Sequence, residues 1–243
     1  MACAGDRGGR GVRDDGPVDR AAPDALIFDF DGVIVDSYDA VTGSINAALV
    51  EHGLPARPAA ELRHYIGPPT HTAFAELTGA PAGAAEVEAI VATYRRRYAE
   101  VYLSQTSAIE GVTAALEALS ERVPLAIATS KSVTFTQPLL EVLRLERFFE
   151  FVAAAAPDDS SDDKTAIVGR AIAALADGGR RRPAMVGDRS YDIEAARAHG
   201  LLAVGVTWGI GTAAELEAAG ADVLLAAPGE LLGLLSADRP SGR

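Results

Sequence analysis

Six short apolar runs separated by helical patterns constrain this chain more than any other feature. The runs are 26–29 (LIFD), 123–129 (VPLAIAT), 149–155 (FEFVAAA), 183–188 (PAMVGD), 201–206 (LLAVGV) and 221–226 (ADVLLA). Apolar residues at helical spacing fill 111–121, 133–145, 164–176, 191–199 and 212–219. Strands this apolar have no wet face, so helices must cover both sides of the sheet. The pattern predicts an α/β fold built on a doubly wound parallel sheet.

The interval from about 38 to 107 breaks the alternation. It holds no convincing strand. Val41, Ile45, Ala48 and Leu49 keep helical spacing, as do Val87, Ile90, Val91, Tyr94, Tyr98, Val101 and Tyr102. Between them YIGPPTH (65–71) must be a loop or break, because Pro68 and Pro69 lack backbone donors and restrict the residues before them. A small all-helical insertion after the first strand is expected. The division that follows is a tail at 1–24, a core of 25–37 with 108–235, a helical cap over 38–107 and a second tail at 236–243. Arg95, Arg96 and Arg97 read as a solvated face of the last cap helix.

Composition narrows the function classes. With 243 residues, 49% of them apolar, the chain can bury a sizeable core. A formal net charge of −12 argues against a nucleic-acid or anionic-membrane binder. Cys3 is the single cysteine, which leaves no internal disulfide and no thiolate metal cluster. No signal peptide or bilayer-length apolar stretch is visible, so the cytoplasm is the expected location. Among 22 Lys plus Arg residues only Lys131 and Lys164 are lysines, and two such compact point charges call for a positional explanation.

The first run ends in DFDG. Asp29 and Asp31 point the same way from a strand of period two, where two ionised acids repel and pay for desolvation. Ligands in a doubly wound sheet bind beyond the carboxyl ends of the strands. Four polar clusters fall at such ends: Asp29/Asp31, Thr129/Ser130/Lys131, Lys164 and Asp188/Asp192. A divalent cation would keep this many carboxylates ionised, and oxygen donors without His or Cys suit Mg²⁺, which commonly binds with a phosphate as co-ligand. Lys164, the Thr129 hydroxyl and backbone N–H groups from Phe30 to Gly32 would supply positive counter-charge to that phosphate.

In their order, DFDGV, a strand ending in Thr129, an isolated lysine and GDRSYD resemble the four motifs of the haloacid dehalogenase superfamily over about residues 25–230. The helical insertion resembles the type 1 cap, and IGPP, ATSK and VGDRSYDI look most like the phosphoglycolate phosphatase and 5′-nucleotidase-like branch. The resemblance implies that Asp29 is a nucleophile forming an aspartyl phosphate and Asp31 a general acid and base. It implies Mg²⁺ held by Asp29, the Asp31 carbonyl and Asp188, with Asp192 an outer acid. Thr129 and Lys164 match the phosphate clamps, and Gly32 is expected to let the backbone approach the phosphate. Arg63, Gly67, Pro68 and His71, in the 63–71 cap loop, are expected to face the active site and select the substrate.

Other polar residues have two readings. Ser130 and Lys131 either touch substrate or start the next helix. Asp36 and Ser37 are expected to cap the first cap helix. Trp208 belongs to the cap interface or to the core. The four histidines do not cluster, and Asp158, Asp159, Asp162 and Asp163 read as a solvated acidic loop. Asp31 argues against a dehalogenase, and Val41 stands where hexose-phosphate mutases carry a cap histidine. The interval 38–107 has no lysine for a phosphonate hydrolase's Schiff base. A non-catalytic phosphate-binding module would not need the full reactive set. The expected function is a Mg²⁺-dependent phosphatase for a small phosphorylated metabolite, working as a monomer or weak homodimer.

Overall fold

The structure, a computed structural model, describes residues 22–157, 163–176 and 181–236. Residues 1–21 and 237–243, and Asp158, Asp159 and Asp162 of the acidic loop, lie outside the described residues. In chain order the elements are β1 (Ala25–Phe28), β2 (Val35–Asp36), α1 (Tyr38–Glu51), α2 (Ala59–Leu62), α3 (Thr70–Thr78), α4 (Ala85–Gln105) and β3 (Ser107–Ala108). There follow α5 (Val112–Ser120), β4 (Leu125–Ser132), α6 (Val133–Leu143), β5 (Phe151–Ala155), α7 (Lys164–Leu175) and β6 (Pro183–Gly187). The last are α8 (Ser190–Ala198), β7 (Leu202–Val206), α9 (Ala213–Ala219) and β8 (Val223–Leu225), with a 3-10 segment at Pro228–Leu235.

Six strands form one parallel sheet in the order β5-β4-β1-β6-β7-β8. Their alternation assigns the two faces. Leu26, Phe28, Leu125, Ile127, Ala184 and Val186 join the core under α5 and α6, whereas Ala25, Ile27, Ala126, Ala128 and Met185 join the one under α7, α8 and α9. Neither face is left wet, which explains why the strands read as continuous apolar runs. β1 lies between β4 and β6, so the connections diverge on either side of it and open a crevice at its carboxyl end. That is where Asp29 and Asp31 stand.

Helices α1 to α4 bury a separate cluster that includes Leu49, Leu62, Ile66, Phe74, Ile90 and Tyr98. A feature absent from the sequence reading joins this layer to the sheet. β2 and β3 pair antiparallel, Val35 opposite Ala108 and Asp36 opposite Ser107, as a two-residue ribbon at the neck. Strands this short leave no periodicity to detect. Among the described residues no helix is long and apolar enough to cross a membrane.

Candidate active site

The chain beyond β1 turns sharply. Ile34 and Val35 donate to the Phe30 carbonyl, and Gly32 donates to the Val35 carbonyl at 2.8 Å. The Gly32 N–H is thus spent inside the turn, which corrects its expected role as a phosphate donor. None of the turn's hydrogen bonds uses the N–H groups of Phe30 and Asp31. The reason for glycine also differs from expectation. Gly32 has φ +81°, and a Cβ there would stand 2.3 Å from Asp188 Oδ2, so the close approach it permits is to Asp188.

Three carboxylates converge beside this turn. Oxygens of Asp29, Asp188 and Asp192, from the ends of β1 and β6 and the first turn of α8, lie within 4.8 Å of one another, and all three residues are buried. Asp188 Oδ2 accepts from the Ile210 N–H at 2.6 Å, while its Oδ1 is buried with no hydrogen-bond partner. Burial pushes Asp29 up to about 7, Asp192 and Asp31 adding to the shift and Lys164 opposing it. Burial likewise raises Asp188 well above the usual carboxylate range, reinforced by Asp192 and Asp29. An orphaned buried carboxylate oxygen inside an all-oxygen acidic triad is what a hard divalent cation would complete. The residues present fit Mg²⁺.

Asp192 is already committed to the protein. Its Oδ2 accepts from the Asp188 and Arg189 N–H groups at 3.2 and 3.1 Å, and its Oδ1 faces Lys164 Nζ at 2.9 Å. Lys164 opens α7, whose N-terminus is capped by Asp163 accepting from the Ala166 N–H. Its Nζ also reaches Asp29 Oδ1 at 2.6 Å. Burial alone would lower this lysine, but the Asp192 and Asp29 carboxylates outweigh it and hold the ammonium well above its ordinary value.

Asp31 faces the other way, toward the cap. Its Oδ1 accepts from Ser37 Oγ at 2.5 Å, and Lys131 Nζ lies 3.1 Å from each of its oxygens. Ser37 was expected to cap α1; it makes no such bond and serves Asp31 instead, while the Asp36 carboxylate takes the Tyr38 N–H. Asp31, Ser130 and Lys131 line a cavity of about 70 Å³ beneath the cap, closed by Val41, Ile66, Gly67, Pro68, Phe74, Tyr98 and Phe135. The helix-start reading of Ser130 and Lys131 is corrected too, because α6 is capped by Ser132, whose side chain accepts from the Thr134 N–H. Thr129 is 1% exposed, and its Oγ1 accepts from the Lys131 N–H at 3.1 Å.

The cap loop divides. Gly67 and Pro68 line the cavity with Asp31, and Gly67 (φ +105°) has no room for a side chain because Tyr191 Oη occupies the place of its Cβ. Arg63 instead donates across the seam to the Gly209 and Ile210 carbonyls at 2.7 and 2.9 Å. His71 turns to Glu88 on α4, with Nε2 3.2 Å from a carboxylate oxygen, contrary to its expected place in the site. His52 and His199 bond Thr93 and the Thr165 carbonyl, and His64 packs on Tyr65. The contacts of Trp208 follow the core reading. It packs against the main core, and its Nε1 donates to the Val33 carbonyl behind the turn.

Sequence reasoning missed Tyr191, Arg189 and Glu215. Arg189 Nε binds Glu215 at 2.9 Å while Nη1 donates to the cap carbonyl of Ile66 at 2.9 Å. Tyr191 lies between the ammonium of Lys164 and the guanidinium of Arg189, 5.9 and 5.4 Å from its ring. Arg189 and Tyr191 do sit within the GDRSYD stretch, so the motif itself was the available signal.

Comparison with known proteins agrees with this geometry. Residues 26–206 match the model of the haloacid dehalogenase-like hydrolases. The tyrosine-protein kinase PtkA of Mycobacterium tuberculosis is 36% identical over 193 residues, covering 79% of this chain but only 65% of that protein's length. The probable phosphatase IndB of Dickeya dadantii is 31% identical over 215 residues, covering 86% of this chain and 91% of its own. The crystal structure of a predicted phosphatase from Clostridium acetobutylicum superposes with a TM-score of 0.79 at 26% identity, over 87% of this chain and 97% of that one. With the buried acidic triad at the carboxyl end of the central strand and a family match across three quarters of its length, this chain belongs to the haloacid dehalogenase-like hydrolase family.

Proposed function

We propose that the protein is a Mg²⁺-dependent phosphatase that hydrolyses small phosphate monoesters through an aspartyl phosphate on Asp29. The observation that carries this reading is the triad of Asp29, Asp188 and Asp192, buried with Asp188 Oδ1 unpartnered, beside a second acid that faces the cap cavity. Bound there, Mg²⁺ would keep the carboxylates ionised and offset charge on the phosphoryl oxygens. Asp29 attacks phosphorus, a P–O bond to its carboxylate forming as the bond to the leaving oxygen breaks. Asp31 gives its proton to that oxygen, then takes one from the water that cleaves the aspartyl phosphate. Lys164, 2.6 Å from Asp29, pairs with the transferred phosphoryl group. Residues 38–107 act as a cap that closes over the core and excludes water.

Val41, apolar and lining the cavity, offers no proton donor for a mutase. A small phosphorylated metabolite is the substrate class this reading implies, and neither nucleic acid nor a membrane suits a charge of −12. We place the chain in the cytoplasm as a monomer or weak homodimer. The PtkA relative favours a second reading, in which a tyrosine hydroxyl receives the phosphoryl group instead of water.

The test is hydrolysis of 4-nitrophenyl phosphate and of a panel of phosphorylated metabolites with Mg²⁺. Asp29→Asn should reduce turnover by at least about a thousandfold while the circular-dichroism spectrum stays unchanged. Near-normal turnover in that variant removes Asp29 as nucleophile. Phosphotyrosine formed on a peptide from ATP, without hydrolysis of the panel, would favour the transferase reading.

A further inference from the structure

Lys131 is the one of the two lysines that the proposed chemistry leaves without a task. It reaches its place through an irregularity in the sheet. β4 runs past Thr129 to Ser132, and its pairing with β5 shifts register between those residues. The Thr129 hydroxyl holds the Lys131 N–H within that shift. The side chain is only 8% exposed, and Nζ sits evenly, 3.1 Å from both oxygens of Asp31. On its far side Nζ lies 4.7 Å from the centre of the Tyr98 ring. Tyr98 belongs to cap helix α4, is 1% exposed, and stands edge-on to Phe135 of α6 at 4.9 Å. One ammonium is therefore held between the acid on the core and an aromatic wall on the cap.

A lysine serving the phosphoryl group would be expected beside Asp29, where Lys164 is. Among the described residues, Asp31 is the carboxylate paired with Lys131. Holding a long flexible side chain in one geometry costs entropy, and the Tyr98 ring beside Nζ, with the Lys131 backbone fixed by Thr129, reduces that cost. Ser37 Oγ, also on Asp31 Oδ1, limits rotation of the same carboxyl from the neck side.

Resting on the phosphatase reading, we infer that Lys131 is a positioning residue that aims the Asp31 carboxyl at the leaving oxygen, and that Tyr98 makes this aim depend on a closed cap. The step concerned is proton donation: as the phosphorus–oxygen bond to the alcohol breaks, Asp31 supplies the proton that turns the departing alkoxide into an alcohol. A leaving group already stable as an anion needs no such proton, so the cost of losing Lys131 depends on the leaving group. A lysine that merely neutralised a buried acid would show no such dependence.

The experiment compares ethyl phosphate with 4-nitrophenyl phosphate on the full chain with Mg²⁺. It reads kcat/KM, which reports formation of the phosphoenzyme. Lys131→Met should lower kcat/KM for ethyl phosphate on the order of a hundredfold and for the aryl ester about tenfold less than that. Lys131→Arg should restore part of the alkyl rate. Tyr98→Leu should reproduce the selective loss more weakly, and Tyr98→Phe, which keeps the ring, should stay close to wild type. An equal loss on both esters, or none, overturns the inference. Should Lys131→Met fail to fold, the Tyr98→Leu ratio decides by the same criterion. A wild-type chain that hydrolyses neither ester defeats the phosphatase reading itself, and this inference with it.

Discussion

At Asp29 the fold works against the charge that the proposed chemistry needs. Burial first, then Asp192 and Asp31, move its carboxyl from an ordinary 3.8 to about 7, with Lys164 opposing. Between those values the folded chain holds a proton that the unfolded chain has released. The stability contributed by Asp29 is therefore fully present below about pH 4 and is lost as pH rises toward about 7. Asp188, also raised, acts in the same direction. Removing the titrating group should remove its share of this slope. In metal-free buffer the melting temperature of Asp29→Asn is expected to gain on wild type between about pH 5 and about pH 8, and saturating Mg²⁺ should restore wild type at the upper end. Melting curves that keep a constant gap at every pH contradict this account of Asp29. The expectation from strand spacing that Asp29 and Asp31 share a direction fails, because β1 ends at Phe28 and Asp31 turns toward the cap while Asp29 joins the triad. That both acids end an apolar run was legible. The partners of Asp31 were not, because Ser37 and Lys131 reach it through a turn and a register shift.

Between elements, the cap is held by two arginines that cross the seam in opposite directions. Arg63 of the cap donates to carbonyls 209 and 210, and Arg189 of the core donates to carbonyls 64 and 66. Both ends lie close to the acidic triad, since the Ile210 N–H binds Asp188 and the Arg189 N–H binds Asp192. Closure of the cap and order in the triad thus share the same loops. Arg189→Met removes the guanidinium bonds to the cap and to Glu215 while keeping an apolar stem. It should weaken closure and raise KM for an alkyl phosphate about tenfold, with a smaller change in kcat. Steady-state kinetics with folded variant measures this, and an unchanged KM would show that the clasp does not govern closure. Sequence could place the cap helices because their apolar spacing is long and regular. It misassigned His71 and gave Arg63 to the substrate, since no periodicity states which way a loop side chain turns.

At the scale of the whole molecule, a six-stranded parallel sheet collects residues from positions 29, 129, 164 and 188 at one edge, with a helical layer closing over them. That much followed from apolar runs, helical spacing and four polar clusters at strand ends. The two-residue neck ribbon did not, for pairing between segments seventy residues apart leaves no local trace when each strand is so short. The sequence also stops short of the proposed metal; what fits one is a buried acidic triad in which Asp188 Oδ1 has no hydrogen-bond partner. Isothermal titration of Mg²⁺ into the wild-type chain and into Asp188→Asn at neutral pH tests that point most directly. One site with proton release is expected in the wild type, weakened by at least about tenfold in the variant. Equal affinity in both chains, or no binding in the wild type, would contradict the claim that these acids are gathered around a metal.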